Sequence, residues 1–293
     1  MGVAIVSGGS RNSSTGGGGT DTPVKAILNN YTWEDIAAIS ASGLGESYFS
    51  IGDCKAVPIN GTVGTLSISE VYYVYIIGFN HNGTTNTIDF GTFKTAASGG
   101  VDIALVNNYG DHTMSGNKYF SMNHSADTNS GGWKKCDIRY DILGSTDSHS
   151  SDATNTTATN PVTNTLMAAL PSDLRAIMKP MTIYTDNVAN GNSTASNVTA
   201  TVDYLPLLAE FELFGTRSYA NTTEQNYQTQ YAYYAAGNSR IKYRHTITSS
   251  AIVWWGRSPR SGTNDWFCYA FSTGSPAGNE AGLSYGLAPI FRV

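Results

Sequence analysis

The sequence predicts an α+β fold of short antiparallel strands, a few short helices and long loops. Only 13% of the 293 residues are charged, Gly, Ser, Thr and Asn are abundant, and short β-branched or aromatic runs end at turn residues. Because Gly and Asn supply the positive φ angles of tight turns, many short strands joined by turns would produce this composition. The length suffices for one large domain with a sizeable core.

The domain is expected to cover residues 25–293, after a flexible arm over residues 1–24. Residues 7–22 are nearly all Gly, Ser, Thr and Asn. Such a segment cannot bury enough apolar area to offset its chain entropy. We interpret it as a tether or an assembly arm.

One capped helix and three strand segments are predicted in the first half. Thr32 precedes an apolar stripe with acids in its first turn, which predicts a short helix ending before Gly43. The stretch SYFSIGDCKAVPI (47–59) predicts a hairpin or two short strands around a Gly-Asp turn. Residues 71–79 give the strongest strand signal and precede an Asn-Gly turn, and another strand starts at Val101. These segments should pair antiparallel.

Short helices are predicted in the middle of the chain. The stretch GGWKKCDIRYDIL, from Gly131, predicts a helix whose apolar side chains face a core: Trp133, Ile138, and Ile142 or Leu143. Residues 150–164 have the composition of an exposed loop insert.

Two further stretches complete the middle of the chain. Residues 165–181 predict two helical turns broken at Pro171, with Ser172 capping the second. The run LPLLAEFELFG, from Leu205, fits a strand or a short helix. Its acids, Glu210 and Glu212, are interpreted as capping or solvated side chains rather than an acid-base pair.

The C-terminal stretch, residues 251–293, combines two apolar ends with a polar and aromatic middle. The apolar runs at 251–255 and 287–291 are bounded by Gly and Pro, which is typical of buried strands. The middle is rich in Ser, Gly, Thr, Asn, Trp and Tyr, the composition of an adaptable contact surface. We therefore expect a rigid frame that carries a binding surface.

Charge and targeting signals exclude several partners. The net charge of −5 does not indicate the basic surface that binding to nucleic acid or an anionic membrane requires. No apolar segment reaches the roughly twenty residues that a membrane span needs, and the N-terminus lacks the features of a signal peptide. A protein made in the cytoplasm, without membrane insertion, is expected.

Catalytic and metal-binding patterns are weak, so no catalytic residue, cofactor or metal ligand is predicted. Residues 282–286 match G-x-S-x-G, but none of the seven residues that follow is Asp, Glu or His, so the acid and histidine of that fold are missing. The histidines show no metal-binding spacing, and the three cysteines form no CxxC pair and are expected to be buried. Those residues are His81, His112, His124, His149 and His245, and Cys54, Cys136 and Cys268.

Ordered motifs from about Tyr31 to the end resemble the DUF6273 family of bacterial and gut-phage proteins. They are TWEDIAAISASG, YFSIGDCKAVPI, IIGFNHN, GGWKKCDIR, LPSDLRAIMKP, LPLLAEFELFG, YAYYAAGNSRIK, VWWGRSP, FCYAFSTGS and YGLAPIFRV. The resemblance implies a C-type lectin-like fold, shared with formylglycine-generating-enzyme-like domains and with the variable proteins of diversity-generating retroelements. In phages, such variable proteins lie at tail-fibre tips and bind host receptors.

The resemblance also implies a division of the C-terminal stretch. The structural frame would be Trp254, Trp255, Arg257, Ser258 and Pro259. The ligand-binding residues would be Arg260, Asn264, Asp265, Trp266, Tyr269, Phe271, Asn279, Glu280 and Tyr285. Two alternatives stay open: the alternating aromatic residues of 266–271 could be a core face of a strand, and Arg257 is favoured as the anchor of a buried ion pair.

The expected function is that of a non-enzymatic phage receptor-binding protein, located in the virion at a tail-fibre tip or a similar place. Its partners would be a host cell-surface protein or glycan and, through the N-terminal region, other virion proteins. A homotrimer is expected by analogy alone. The alternative is a structural decoration or assembly protein of the virion. An enzyme of the formylglycine-generating type is the third hypothesis, and no cysteine arrangement in the sequence supports it.

Overall fold

The computed structural model describes residues 27–112, 118–144 and 158–293. The predicted arm, residues 1–24, and the first part of the predicted insert, residues 150–157, lie outside this described part. Within it, no helix combines the length and apolar character that crossing a membrane requires. The α-helices are α1 (Trp33–Ala41), α2 (Gly45–Tyr48), α3 (Gly132–Lys135), α4 (Leu166–Ala169), α5 (Ser172–Ile177), α6 (Glu210–Phe214) and α7 (Ala232–Ala235). The strands are β1 (Cys54–Val63), β2 (Leu66–Phe79), β3 (Ile88–Lys94), β4 (Asp102–Ala104), β5 (Met181–Asp186), β6 (Val198–Asp203), β7 (Lys242–Arg244), β8 (Ile247–Ile252), β9 (Trp254–Pro259), β10 (Trp266–Ala270), β11 (Pro276–Glu280) and β12 (Phe291–Arg292).

These elements form a mixed fold of several β-sheets with short helices. The largest sheet has the strand order β1-β2-β3-β4-β7-β8, and β12 also pairs with β3. A second sheet has the order β11-β10-β9, and β5 and β6 form a hairpin. Strands β4 and β7 pair in parallel, whereas the neighbours β1–β2, β2–β3 and β3–β4 are antiparallel. This architecture agrees with the predicted α+β class.

Helix α1 begins where its sequence signal predicts. The Thr32 hydroxyl accepts a hydrogen bond from the Asp35 N–H at 3.1 Å, and the Asp35 carboxylate accepts one from the Thr32 N–H at 3.2 Å. This reciprocal pair satisfies two of the backbone donors that a helix start leaves free. Trp33 and Ile36 are buried on one side of the helix, so the predicted capped amphipathic helix is confirmed.

The strands of the first half pair as predicted, with one exception. Strands β1 and β2 form a continuous antiparallel ladder from the Cys54–Tyr75 pair to the Val63–Leu66 pair. The prediction was wrong before Gly52, where the chain forms α2 instead of a strand. Gly45 lies against the side chains of two sheet residues, Phe79 and Ile88. Tertiary packing therefore overrides the strand propensity of the aromatic residues here.

The helices predicted in the middle of the chain are present, but the N-cap residue of α5 differs from the predicted one. Helix α3 is followed by a π-helical turn at Ile138–Ile142, and the apolar side chains predicted to face the core are buried. Pro171 separates α4 from α5, as predicted. Ser172 is the first helical residue of α5, so Pro171, and not Ser172, occupies the N-cap position.

Of the two interpretations of the α6 acids, capping is confirmed for Glu212, whose carboxylate accepts a hydrogen bond from the Ala209 N–H at 3.0 Å, whereas solvent exposure was wrong. Glu210 and Glu212 begin α6 and are buried, because backbone N–H groups and an arginine satisfy their carboxylates. Buried charges persist only with such partners. His81 lies in the turn after β2, where its ring is buried and stacks on Tyr231, with centroids 3.5 Å apart.

The C-terminal end of the chain is part of the core, as its apolar sequence predicts. Phe291 stacks on Phe90 at a centroid distance of 5.3 Å, and Trp33 meets Phe90 edge to face at 5.4 Å. The backbones of Leu105 and Leu287 exchange two hydrogen bonds, of 3.0 and 2.8 Å. These contacts join the C-terminal stretch to the large sheet.

Candidate functional site

Strand β9 forms a buried frame beside β10 in the same sheet, and all of its residues are buried. The indole N–H groups of Trp254 and Trp255 donate to the carbonyl oxygens of Arg240 and Phe120, at 2.9 and 3.0 Å. One edge of β9 pairs with β10, while on the other edge Arg257 N–H donates to the Leu208 carbonyl. Both tryptophans thus combine a large buried surface with a satisfied polar atom.

Arg257 is held by a buried carboxylate. Its guanidinium nitrogens lie 2.6 and 2.7 Å from the two Glu212 oxygens, and it also donates to the Leu207 carbonyl and the Thr185 hydroxyl. Burial alone would raise the pKa of Glu212, but the charge and hydrogen bonds of Arg257 outweigh it, and the pKa is lowered. Arg257 is therefore a structural anchor closed to solvent.

Ser258 points to a second buried acid, Glu224. The Ser258 hydroxyl donates to one Glu224 oxygen at 2.6 Å, and the Asp186 N–H donates to the other at 2.9 Å. Burial raises the pKa of Glu224 to about 7, although these hydrogen bonds and Arg257 act in the opposite direction. Glu224 carries no local signal in the sequence, because only the folded chain places it beside β9.

The predicted ligand-binding residues divide between the two sides of β10. Side chains alternate along a strand, so Trp266 and Tyr269, three positions apart, point to opposite sides. The register places Trp266 opposite Glu280 and Tyr269 beside Trp255. The structure therefore does not bring the predicted residues into one surface.

The first group forms the Arg260 patch, which we define as Tyr219, Arg260, Asn264, Asp265 and Trp266. The Arg260 guanidinium lies between two rings, 4.8 Å from the Tyr219 centroid and 4.6 Å from the Trp266 centroid. Arg260 and Trp266 are partly exposed, and Asn264 is exposed in the loop between them. Tyr219 was not predicted, because it lies on a different segment and only folding brings it to Arg260.

The second group is an aromatic cluster on the other side of β10. Tyr269 packs against Trp255 and Tyr285, with centroids 6.1 and 5.7 Å away, and Asn279 donates to the Tyr285 hydroxyl at 2.7 Å. Only 8% of Tyr269 and 9% of Tyr285 are exposed, and burial raises the pKa of Tyr285 to about 12. Phe271, at the end of the strand, is 41% exposed. Packing is thus the main role of both tyrosines.

Glu280 ends β11, and its side chain is 45% exposed. It lies 3.8 Å from the ring of His112, which is within 2.7 Å of Asp127. No spacing in the sequence indicated this grouping, because its members come from distant segments.

The side chains of Cys268 and Ser284 are enclosed. Cys268 is buried in β10, and burial raises the pKa of its thiol well above the usual range. Ser284, the central residue of the G-x-S-x-G match, is buried and donates to the Asn107 carbonyl. A nucleophile must reach its substrate, so neither residue is placed for nucleophilic attack.

The chain matches a known protein family over its C-terminal two thirds. A family described as Domain of unknown function (DUF6273) matches residues 110–293, which include the buried frame, the Arg260 patch and the aromatic cluster. No curated protein and no solved structure matches the chain.

Proposed function

The chain belongs to the DUF6273 family, and we propose that it is a non-enzymatic receptor-binding protein of a phage virion. The proposal includes a C-type lectin-like fold whose C-terminal stretch binds a protein or glycan on the host cell surface. The observation that carries it is the Arg260 patch, where a partly exposed cation is held between two aromatic rings beside a polar loop.

The chemistry of the patch suits recognition. Tyr and Trp offer a large contact area at a small cost in conformational entropy, and Arg donates several hydrogen bonds in a fixed plane. Stacking holds the guanidinium before a ligand arrives, which lowers the entropy cost of binding. Interfaces of proteins are enriched in these three residue types.

The buried frame, which leads directly into Arg260, supports the same proposal. Trp254, Trp255 and the Arg257–Glu212 pair are fully buried and hydrogen-bonded. A surface that rests on locked side chains keeps its geometry when residues in the exposed loop change. The enclosure of Cys268 and Ser284 favours binding over catalysis.

The remaining parts of the proposal rest on family resemblance. The protein would be synthesised in the bacterial cytoplasm and reside at a tail-fibre tip or a similar part of the virion. Its N-terminal region would contact other virion proteins, and the chain would form a homotrimer.

The experiment measures attachment of fluorescently labelled full-length protein to a panel of bacterial isolates. We expect saturable binding to some isolates and a loss of at least about tenfold in affinity for Trp266→Ala and Arg260→Ala, the size expected of a binding hot spot. Phe271→Ala, directly after β10 and beside Tyr269 on the side opposite Trp266, is the matched control and should bind as the unmodified chain does. Circular dichroism verifies that each variant is folded.

Three outcomes contradict the proposal or a part of it. Unchanged attachment of the Trp266 and Arg260 variants would exclude the Arg260 patch, and loss only in Phe271→Ala would move the surface to the aromatic cluster. Absence of binding to every isolate would favour a structural decoration or assembly protein.

A further inference from the structure

Three side chains that can bind a metal ion meet at the surface where His112 approaches the end of β11. His112 Nε2 lies 2.7 Å from Asp127 Oδ2 and 3.8 Å from Glu280 Oε2. One ligand atom from each residue lies within 4.8 Å of the other two. In a tetrahedral site with ligands about 2.0–2.1 Å from the metal, the ligand atoms are about 3.3 Å apart. The observed separations bracket this value, so small side-chain movements would suffice.

The backbone around Gly282 holds the three residues in place. His112 forms an isolated antiparallel bridge with Leu283, and the Leu283 N–H donates to the Glu280 carbonyl at 3.2 Å. The Gly282 N–H donates to Asp127 Oδ1 at 2.9 Å, which directs the other oxygen, Oδ2, toward His112. Hydrogen bonds of this kind orient carboxylates that bind metals.

The absence of a side chain at Gly282 permits this close approach. A Cβ atom there would lie 2.5 Å from Asp127 Oδ1 and 3.1 Å from His112 Nε2. Real Cβ atoms do not approach an oxygen to 2.5 Å, so an alanine would displace Asp127 while leaving all three ligand side chains in the chain. Gly282→Ala thus changes the geometry without changing the ligand set.

Charge and exposure also fit a bound cation. The two carboxylates carry two negative charges and share a single imidazole, and a divalent ion would neutralise their repulsion. The side chains are 33%, 26% and 45% exposed for His112, Asp127 and Glu280. A metal there would keep contact with solvent, which can fill the remaining coordination position.

We propose that His112, Asp127 and Glu280 form a site for a divalent transition metal, with Zn²⁺ as the best-matched ion and water completing the coordination. The imidazole nitrogen distinguishes this donor set from the all-oxygen sets that Ca²⁺ and Mg²⁺ take. The bound ion would tie the segments of His112 and Asp127 to the C-terminal stretch. This site is independent of the receptor-binding proposal.

The test is calorimetric titration of Zn²⁺ into full-length protein that carries no polyhistidine tag and has been freed of metal with a chelator. We expect one Zn²⁺ per chain. His112→Gln, Glu280→Gln and Gly282→Ala should each weaken binding by at least about tenfold, the range known for losses at or around metal ligands. His245→Gln and Glu70→Gln remove a partly exposed histidine and an exposed acid elsewhere, so they should leave affinity unchanged.

Thermal unfolding provides a second measurement. Excess Zn²⁺ should raise the unfolding temperature of the unmodified chain and of the two control variants, but not that of His112→Gln, because a ligand stabilises only the state that binds it. The site is ruled out if no saturable binding occurs, or if all three site variants bind Zn²⁺ with the affinity of the unmodified chain. Tighter binding of Ca²⁺ than of Zn²⁺ would overturn the choice of a transition metal.

Discussion

Arg257 and Glu212 form a two-pronged ion pair that solvent does not reach. The two N–O distances are 2.6 and 2.7 Å, and the side chains are 0% and 2% exposed. The pair joins β9 to α6, and β9 pairs in the sheet with β10, the strand that carries Trp266. Only the fold brings Arg257 and Glu212 together.

Replacement of Arg257 by Met should lower the free energy of unfolding by about 3–5 kcal/mol, because Glu212 would remain as a buried charge without its partner. The double variant with Glu212→Gln should recover part of this loss, since no uncompensated charge would remain. Urea unfolding followed by circular dichroism measures both changes. A loss below about 1 kcal/mol in the single variant would contradict the structural role of the pair.

Glu224 should make stability fall as the pH rises from about 4.5 to about 7. Burial raises its pKa from 4.5 to about 7, so across this range the folded state binds more protons than the unfolded state. The contribution of Glu224 to the free energy of unfolding is fully present below about pH 4.5 and is lost as the pH passes through 7. This shift in the pKa of Glu224 corresponds to a loss of about 3 kcal/mol in the free energy of unfolding.

The variant Glu224→Gln isolates this effect, because glutamine does not titrate. The stability of the variant relative to the unmodified chain should increase by about 3 kcal/mol between pH 4.5 and pH 8, as measured by urea unfolding at each pH. A constant difference across that range would show that Glu224 does not change its protonation state there.

Thr32→Ala should destabilise the protein by about 1 kcal/mol, because it removes the hydroxyl that caps α1. Thr32→Ser is the matched control, since serine retains the capping oxygen and should keep most of the stability. Chemical unfolding of the three proteins gives the comparison. Equal losses in both variants would point to the methyl group of Thr32 rather than to the cap.

Local signals in the sequence were sufficient for several elements. The cap and apolar stripe of α1 lie within one short segment, and β2 has a continuous β-branched and aromatic run. Pro171 separates two helices because its ring restricts the residue before it and removes an N–H. Each of these features depends on neighbouring residues, so the sequence alone predicts it. Helix α2 is a counterexample, because packing of Gly45 against the sheet outweighs the strand propensity of Tyr48.

The candidate site was predicted in part. The burial of Trp254, Trp255 and residues 287–291 followed from their apolar composition, the frame role of 257–259 was implied by the family resemblance, and Arg257 was favoured as an ion-pair anchor. Its partner Glu212 was interpreted as capping or solvated, because an acid in a short amphipathic run carries no sign of the arginine that will meet it.

The sequence by itself determined the α+β class, the capped helix and the buried ends of the C-terminal stretch. Only the tertiary structure decided that Trp266 and Tyr269 lie on opposite sides of β10, that Tyr219 stacks on Arg260, and that His112 meets Asp127 and Glu280. The physical reason is that helix caps and strand propensities act over a few residues, whereas these contacts require the closure of long loops and the register of a completed sheet.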